Sequence, residues 1–397
     1  MTGRGWGTMA DEPIDTRRED HFVMQQIRRG DAGRAVAEVR CMLATLGLLD
    51  NTDTAAADRF DDTTELAVRH FQQRRGISVD GTVGGETYTA LTGAHWRLGD
   101  RVLSHAPGQL FVGDDVSALQ TQLLELGYNL VRADGIFGAS TAEGTRSFQR
   151  DYGLVADGIC GPATLRALRQ LGRRVVGGRP QLLREMVAVA ASGPNLLGKR
   201  IVIDPGHGGD DDGFVHGDVT EAEIAWDLAA RLEGRLTALG VTTLMTRGPG
   251  NGATDAQRAG LANAVGADLV ISLHVDGVAS PRPHGLAAYY YGAESSSTIG
   301  ERLADLVQRE LVARTGLLDA HTHGKAWELL RLTRMPTVRV ELGYLSSPID
   351  RPLLVDPRFR DTVAEGLLVA VQRLYLPFAD DFPTGVMRIP AGVGPDG

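Results

Sequence analysis

Cysteine is scarce, with Cys41 and Cys160 the only two in 397 residues. Two thiols cannot build a disulfide framework, and they suit a reducing compartment. Lysine is equally rare, limited to Lys199 and Lys325 among 41 basic residues. So strong a preference for arginine reads as codon bias and not as function. No run approaches the ~18–20 unbroken apolar residues of a membrane helix, so no membrane span is expected. There is no dense basic run either, and the net charge is −9. That excludes nucleic acid as a main partner. Residues 1–24 are polar, with no apolar h-region and no small-residue cleavage site, so no secretory signal is expected. What is present is enough for real cores: 43% of residues are hydrophobic and 23% charged. A chain of this length should hold two or three domains, at about 100–200 residues each.

An internal repeat divides the chain. Phe71-Gln72-Gln73, Gly76 and Val79-Asp80-Gly81-Thr82-Val83-Gly84 return as Phe148-Gln149-Arg150, Gly153 and Ala156-Asp157-Gly158-Ile159-Cys160-Gly161. Thr87 and Ala90-Leu91 return as Thr164 and Ala167-Leu168 at the same offset. Upstream, Ala44 to Gly47 matches Leu124 to Gly127, with a slightly longer loop in the first copy. Apolar spacing of three and four residues through Val36, Val39, Leu43 and Leu46, and through Leu119, Leu123 and Leu126, predicts helices. Each copy is thus expected to be a small all-α unit of three helices, at 25–95 and 105–172. The Asp-Gly-x-x-Gly turns supply positive φ angles. The first copy has Phe60-Asp61-Asp62 where the second has Asp134-Gly135-Ile136-Phe137-Gly138, so one Gly turn is missing there.

Residues 1–24 are expected to be a flexible N-terminus, 173–198 a linker and 377–397 a flexible tail rich in Pro and Gly. Between the last two, 199–376, strand and helix signals alternate. Strands are expected at 201–204, 242–246, 269–273, 286–291 and 337–342. Helices are expected at 221–239, 255–265, 297–314 and 359–375. This pattern predicts an α/β domain, a mixed sheet with helices on both faces.

In open α/β sheets, function collects at the carboxyl ends of strands. Three apolar runs end in groups that can serve. They are Ile201-Val202-Ile203-Asp204-Pro205-Gly206-His207, Ile271-Ser272-Leu273-His274 and Val338-Arg339-Val340-Glu341. Glu221 opens the first helix, inside an expected Thr220–Glu223 capping box. Two His and one Glu can form a three-ligand zinc site, and a separate carboxylate can then carry the proton. His207, Glu221 and His274 fit the ligand roles and Glu341 the proton carrier. Each residue alone also has an ordinary reading: a turn His, an acid favoured by the helix dipole, a polar strand end. The Gly residues after His207 could suggest phosphate binding, but the Lys-Ser/Thr of a Walker motif is missing. His321-x-His323 pairs two imidazoles without a nearby acid and reads as a solvated loop.

The segments "IVIDPGHGG", "TEAEIAWDLAARL", Thr246-Arg247, "RAGLANAVGADLVISLH" and "MPTVRVELGYLSS" stand in the order of the zinc-dependent N-acetylmuramoyl-L-alanine amidases of the amidase-3 type, which 200–375 resembles. The stretch "ADGIFGASTAEGTRSFQRDYGLVADGICGPATLRAL" resembles the peptidoglycan-binding repeat attached to cell-wall hydrolases. The resemblance implies Zn2+ held by His207, Glu221 and His274, with Glu341 as catalytic residue. It implies hydrolysis of the amide between the muramic acid lactyl group and L-alanine, on peptidoglycan or muropeptides. Two departures stand out. Val275-Asp276-Gly277 replaces the family's Ala-Asn and small residue, and the short loop from His207 to Glu221 leaves no room for a blocking helix.

The same arrangement also resembles the actinobacterial CwlM-type proteins. That likeness implies an alternative: a cytosolic regulator of peptidoglycan precursor synthesis, binding the enolpyruvyl transferase under Ser/Thr kinase control, with Thr384 as phosphosite. The expected location is cytoplasmic as the sequence stands, and the extracytoplasmic cell wall if the true start lies upstream. The complete His207, Glu221, His274 and Glu341 set favours the enzyme.

Overall fold

The computed structural model describes residues 26–50, 58–106, 110–130, 132–172, 187, 189, 191–292 and 299–376. Most of the linker 173–198 and the whole tail bearing Thr384 lie outside them.

Two three-helix units come first. The first holds α1 (Arg34–Thr45), α2 (Asp62–Arg75) and α3 (Gly85–Ala94); the second holds α4 (Asp114–Glu125), α5 (Ala139–Tyr152) and α6 (Pro162–Gly172). Each closes its own small core, around Val39, Leu43, Phe71 and Leu91 in one and Leu119, Leu123, Phe137 and Phe148 in the other. Cys160 is buried and Cys41 exposed, and both are free thiols.

The Asp-Gly turns are held by a recurring glutamine clasp. Gln149 Nε2 donates to Asp157 Oδ1 at 2.8 Å, to the Ile159 carbonyl at 3.0 Å and to Thr164 Oγ1 at 2.9 Å. Its Oε1 accepts from Gly158 N at 2.8 Å. Gln72 does the same for Asp80, Gly81, Thr82 and Thr87, and Gln120 for Asp134, Gly135, Ile136 and Thr141. All three glutamines are buried, so each clasp satisfies polar groups that would otherwise be stranded. The fourth position, where the first copy lacks its Gly turn, is filled by buried Arg40, which reaches Asp61, Thr64 and the Arg59 carbonyl. A longer cationic side chain replaces the missing turn.

The α/β domain is a six-stranded mixed sheet in the order β4-β1-β5-β8-β6-β7. Its strands are β1 (Arg200–Pro205), β4 (Thr242–Met245), β5 (Leu269–Asp276), β6 (Leu286–Tyr291), β7 (Asp319–Lys325) and β8 (Thr337–Tyr344). β4, β1, β5 and β8 run parallel; β6 is antiparallel to β8 and parallel to β7. A small hairpin, β2 (Val215–His216) with β3 (Val219–Thr220), precedes α7 (Glu221–Ala238). The remaining helices are α8 (Asp255–Ala264), α9 (Ile299–Thr315), α10 (Glu328–Leu332), α11 (Arg351–Leu354) and α12 (Pro357–Tyr375).

Side chains alternate across each strand, so the two sheet faces differ. Ile201, Ile203, Leu273, Val338 and Val340 point into the large core with Leu228, Leu232 and Leu236 of α7. Each such fully buried aliphatic side chain contributes about 1.5–3 kcal/mol. The alternate residues face a smaller cluster of Val202, Val270, Ala262 and Met335. Towards the carboxyl ends that second face turns polar, through Asp204, Ser272, His274 and Glu341, all buried.

The two repeats are joined by a bidentate Arg75–Asp114 pair at 2.7 and 2.8 Å. They dock on the segment between β7 and β8 and on the end of β6. Ala326 N donates to the Gly76 carbonyl at 2.9 Å, Arg132 Nη1 to the Leu330 carbonyl at 2.7 Å and Tyr291 Oη to the Ala133 carbonyl at 3.1 Å. A cleft of about 1440 Å3 lies between the three units, with Glu86, Asp114, Trp327, Glu328 and Arg339 among its walls.

Two expectations are corrected. His321 and His323 lie on strand β7 and not in a loop, and His321 sits in the left-handed region at φ 65°. Only half of the capping box forms at α7, where Thr220 Oγ1 accepts from Glu223 N. The reciprocal box stands instead at α8, between Thr254 and Gln257.

Candidate metal centre

The three expected ligands converge at the polar end of the sheet. His207 follows β1, Glu221 is the first residue of α7 and His274 lies near the end of β5. One ligand atom from each lies within 4.8 Å of the others. Glu221 Oε1 is 3.1 Å from His207 Nε2 and 3.0 Å from His274 Nδ1. The rings of His207 and His274 stand edge to face, 5.2 Å apart.

Backbone shape makes this approach possible. His207 adopts φ 55°, an uncommon conformation for a non-glycine residue, which turns its ring back across the strand end. A Cβ on Gly206 would lie 2.3 Å from His274 Cε1, and one on Gly213 would lie 2.7 Å from Glu221 Oε2. Bare backbone is therefore needed on both sides of the cluster.

The surrounding groups fix each ligand. Asp211 Oδ2 lies 2.7 Å from His207 Nδ1, leaving Nε2 to face the cluster. Glu221 is oriented by Val275 N on Oε1 and Phe214 N on Oε2, each at 3.2 Å. Burial works against the charge of His207, but Glu221 and Asp211 raise its pKa to about 9. Burial alone would raise the pKa of Glu221; the two imidazoles hold it below the usual carboxylate range.

Beneath His207 sits a buried ion pair. Arg258 Nη1 donates to Asp204 Oδ1 at 2.6 Å and to the Pro205 carbonyl at 2.8 Å, while Nη2 donates to the His207 carbonyl at 2.7 Å. Ser272 and Thr246 hydroxyls complete the shell of Asp204 at 2.6 and 2.5 Å. Arg247 ties the Pro205, Gly206 and Ala222 carbonyls together. These two arginines splint the turn that carries His207.

Glu341 pairs with His274 in the β5–β8 register, so it faces the cluster from the next strand. Its Oε1 accepts from Arg339, and its Oε2 is buried without a hydrogen-bond partner among the described residues. Burial works against the charge of Arg339, yet Glu341 beside it keeps the guanidinium pKa above its ordinary value. Burial, then the charge of Glu341, lifts Asp276 to about 6. The departing loop Val275-Asp276-Gly277 packs flat: a Cβ on Gly277 would lie 2.0 Å from the Phe214 ring.

The sequence brought out all four of these residues but not Asp204, Asp211, Arg258 or Arg339. Arg258 lies inside a motif segment, and the acid run Asp210-Asp211-Asp212 follows His207 after Gly208-Gly209, so Arg258 and Asp211 had a signal. Thr384 lies outside the described residues.

Two imidazoles and a carboxylate around one point, with a second carboxylate set apart, are the equipment of a metal-dependent hydrolase. A family model for N-acetylmuramoyl-L-alanine amidase matches residues 201–373, and a peptidoglycan-binding domain model matches 32–91 and 112–168. N-acetylmuramoyl-L-alanine amidase CwlM of Mycobacterium tuberculosis is 50% identical over 382 residues, covering 93% of each chain. N-acetylmuramoyl-L-alanine amidase LytC of Bacillus subtilis is 30% identical over 175 residues, 43% of this chain and 34% of that protein. Among solved structures, the amidase Ami1 from Mycobacterium smegmatis is similar at 25% identity and a TM-score of 0.42, covering 46% of this chain and 98% of that one. The chain belongs to the amidase-3 family of N-acetylmuramoyl-L-alanine amidases, in the CwlM-type arrangement of two peptidoglycan-binding repeats and one amidase domain.

Proposed function

We propose that this chain is a zinc-dependent amidase acting on the bond between the muramic acid lactyl group and L-alanine, in peptidoglycan or its fragments. The observation that carries the reading is the His207–Glu221–His274 cluster, with ligand atoms within 4.8 Å of one another and Glu341 in register beside it. The donor set suits zinc, which takes neutral imidazole nitrogen and carboxylate oxygen and leaves a position open in catalytic sites. When bound, zinc supplies Lewis-acid polarisation of the carbonyl and lowers the pKa of water towards neutrality.

The protein's own residues do the rest. Asp211 fixes the tautomer of His207, so that Nε2 faces inward. The Phe214 and Val275 amides hold both oxygens of Glu221. Glu341 accepts a proton from water at Oε2, the oxygen without a hydrogen-bond partner among the described residues. It then delivers that proton to the leaving nitrogen of L-alanine. The oxygen of the deprotonated water bonds to the lactyl carbonyl carbon, the C–N bond breaks, and the products are a lactyl carboxylate and a free α-amino group.

The alternative, a regulator paired with a precursor-synthesis transferase and a Ser/Thr kinase, turns on Thr384, outside the described residues. A ligand set intact in every member favours the hydrolase, since a regulator has no need of one. Metal analysis tests the reading. Purified chain should hold about one zinc, and His207→Ala or His274→Ala should strip most of it. A wild type that holds none after zinc loading would refute the assignment.

A further inference from the structure

Glu341 uses its two oxygens differently. Oε1 accepts from Arg339 Nε at 2.8 Å and lies 2.7 Å from Arg339 Nη2. Oε2 is buried and receives no bond from any described residue. Arg339 and Glu341 are two positions apart on β8, so they share the sheet face that carries His274. Their side chains are 23% and 8% exposed, so this is not a solvated surface pair.

Arg339 is itself held. Its guanidinium lies over the Trp327 ring, 4.6 Å from the centroid, and Trp327 packs against Tyr289 at 4.6 Å. Tyr289 is the partner of Arg339 in the β6–β8 register. Trp327 follows Ala326, whose N–H is bonded to Gly76 of the first repeat. The clamp on Arg339 is thus continuous with the docked repeats.

We infer that Arg339 is a positioning residue for Glu341: its guanidinium fork holds Oε1 and so presents Oε2 alone to the reacting water. The inference rests on the reading of Glu341 as proton carrier. The terminal carboxylate torsion of a glutamate is broad, so an unrestrained Glu341 would offer either oxygen over a range of angles. Two donors from one rigid, planar group on a single oxygen remove that freedom. A lysine, with one compact ammonium, cannot do so. Stacking on Trp327 keeps the guanidinium from swinging into the cleft that it also lines. The effect belongs to orientation, and misplacing a reacting group by about an ångström can cost around 10²-fold in rate.

The test uses the full chain as Arg339→Met, Arg339→Lys, Glu341→Gln and the Arg339→Met/Glu341→Gln double variant. All should fold and keep wild-type zinc content. Arg339→Met should lower kcat by about 10–100-fold with KM little changed, and Arg339→Lys should recover part of it. In the Glu341→Gln background, Arg339→Met should have no further effect on kcat. An unchanged kcat, a loss confined to KM, or the same fold-loss in both backgrounds would overturn the inference. If Arg339→Met fails to fold, the Arg339→Lys comparison in both backgrounds decides it in the same way. A crystal structure of Arg339→Lys supplies a readout independent of turnover. The Glu341 carboxylate should be rotated or spread over two orientations there, and an unmoved carboxylate would overturn the inference. A wild type that holds zinc but cleaves nothing would defeat the proposed function instead, and the crystallographic comparison would still decide the role of Arg339.

Discussion

Arg258→Met should be among the most damaging single changes in the amidase domain. Arg258 and Asp204 are 4% and 1% exposed, and their closest atoms are 2.6 Å apart. Methionine keeps much of the volume but strands the Asp204 charge, with two hydroxyls left to hold it. Breaking a buried pair from one side costs about 3–5 kcal/mol. For a domain of this size, 1 kcal/mol shifts Tm by about 2–4 °C, so a fall of roughly 6–20 °C is expected. The loss should be read by calorimetry and by urea unfolding. Adding Asp204→Asn removes the stranded charge and should recover part of it. The pH dependence follows in sign. Burial would raise the pKa of Asp204, but Arg258 and the two hydroxyls hold it below the ordinary value. The pair therefore stabilises the wild type above about pH 4, and that stabilisation is lost as pH falls. The exposed Arg358–Asp356 pair is the control, and Arg358→Met should change stability far less than Arg258→Met. An Arg258→Met loss no larger than the control's would refute the reasoning.

Gly206→Ala would set a Cβ 2.3 Å from His274 Cε1, so it should displace that ring and abolish zinc retention at a folding cost of about 1–3 kcal/mol; retained zinc would contradict the proposed packing. Glu86 stands across the cleft from Glu328 and Asp255, and crowding by the cleft walls, then those charges, raises its pKa from 4.5 to about 7. A carboxyl with a raised pKa stabilises the docked state fully below about pH 4.5. That contribution is lost as pH rises through about 7, so the protection of α10 amides, measured against their intrinsic exchange rates, should fall over the same range. Glu86→Gln should flatten that dependence, and an unchanged profile would count against the docking surface.

Much of the architecture was legible because it rests on local rules. The duplicated Phe-Gln, Asp-Gly-x-x-Gly and Ala-Leu segments marked two helical units, and strand–helix alternation marked the mixed sheet. His207, Glu221, His274 and Glu341 could be read because each ends an apolar run or opens a helix, where polar groups stand out. Three things were hidden for physical reasons. β7 carries Asp319-Ala320-His321-Thr322-His323-Gly324-Lys325, an edge strand with no buried face to enforce alternation. The glutamine clasps join residues 8 to 21 positions apart on different segments, and a buried Gln looks like any surface Gln until its partners are known. Arg339 and Arg258 have the composition of surface residues, and their roles depend on neighbours from other strands and helices. Arg40, standing in for a lost Gly turn, left a trace in the sequence as a gap in the repeat, and Arg258 left one as the head of a motif segment.

The most direct test of the whole account is product analysis with Glu341→Gln. The substitution keeps size and shape but removes the base, and Glu341 is not among the proposed zinc ligands. Zinc-loaded wild type incubated with muropeptides should release stem peptides with a free L-alanine amino end. Glu341→Gln should retain its zinc and release them about 10²–10⁴-fold more slowly. Equal release by the two proteins, or zinc-loaded wild type that releases none, would contradict the account.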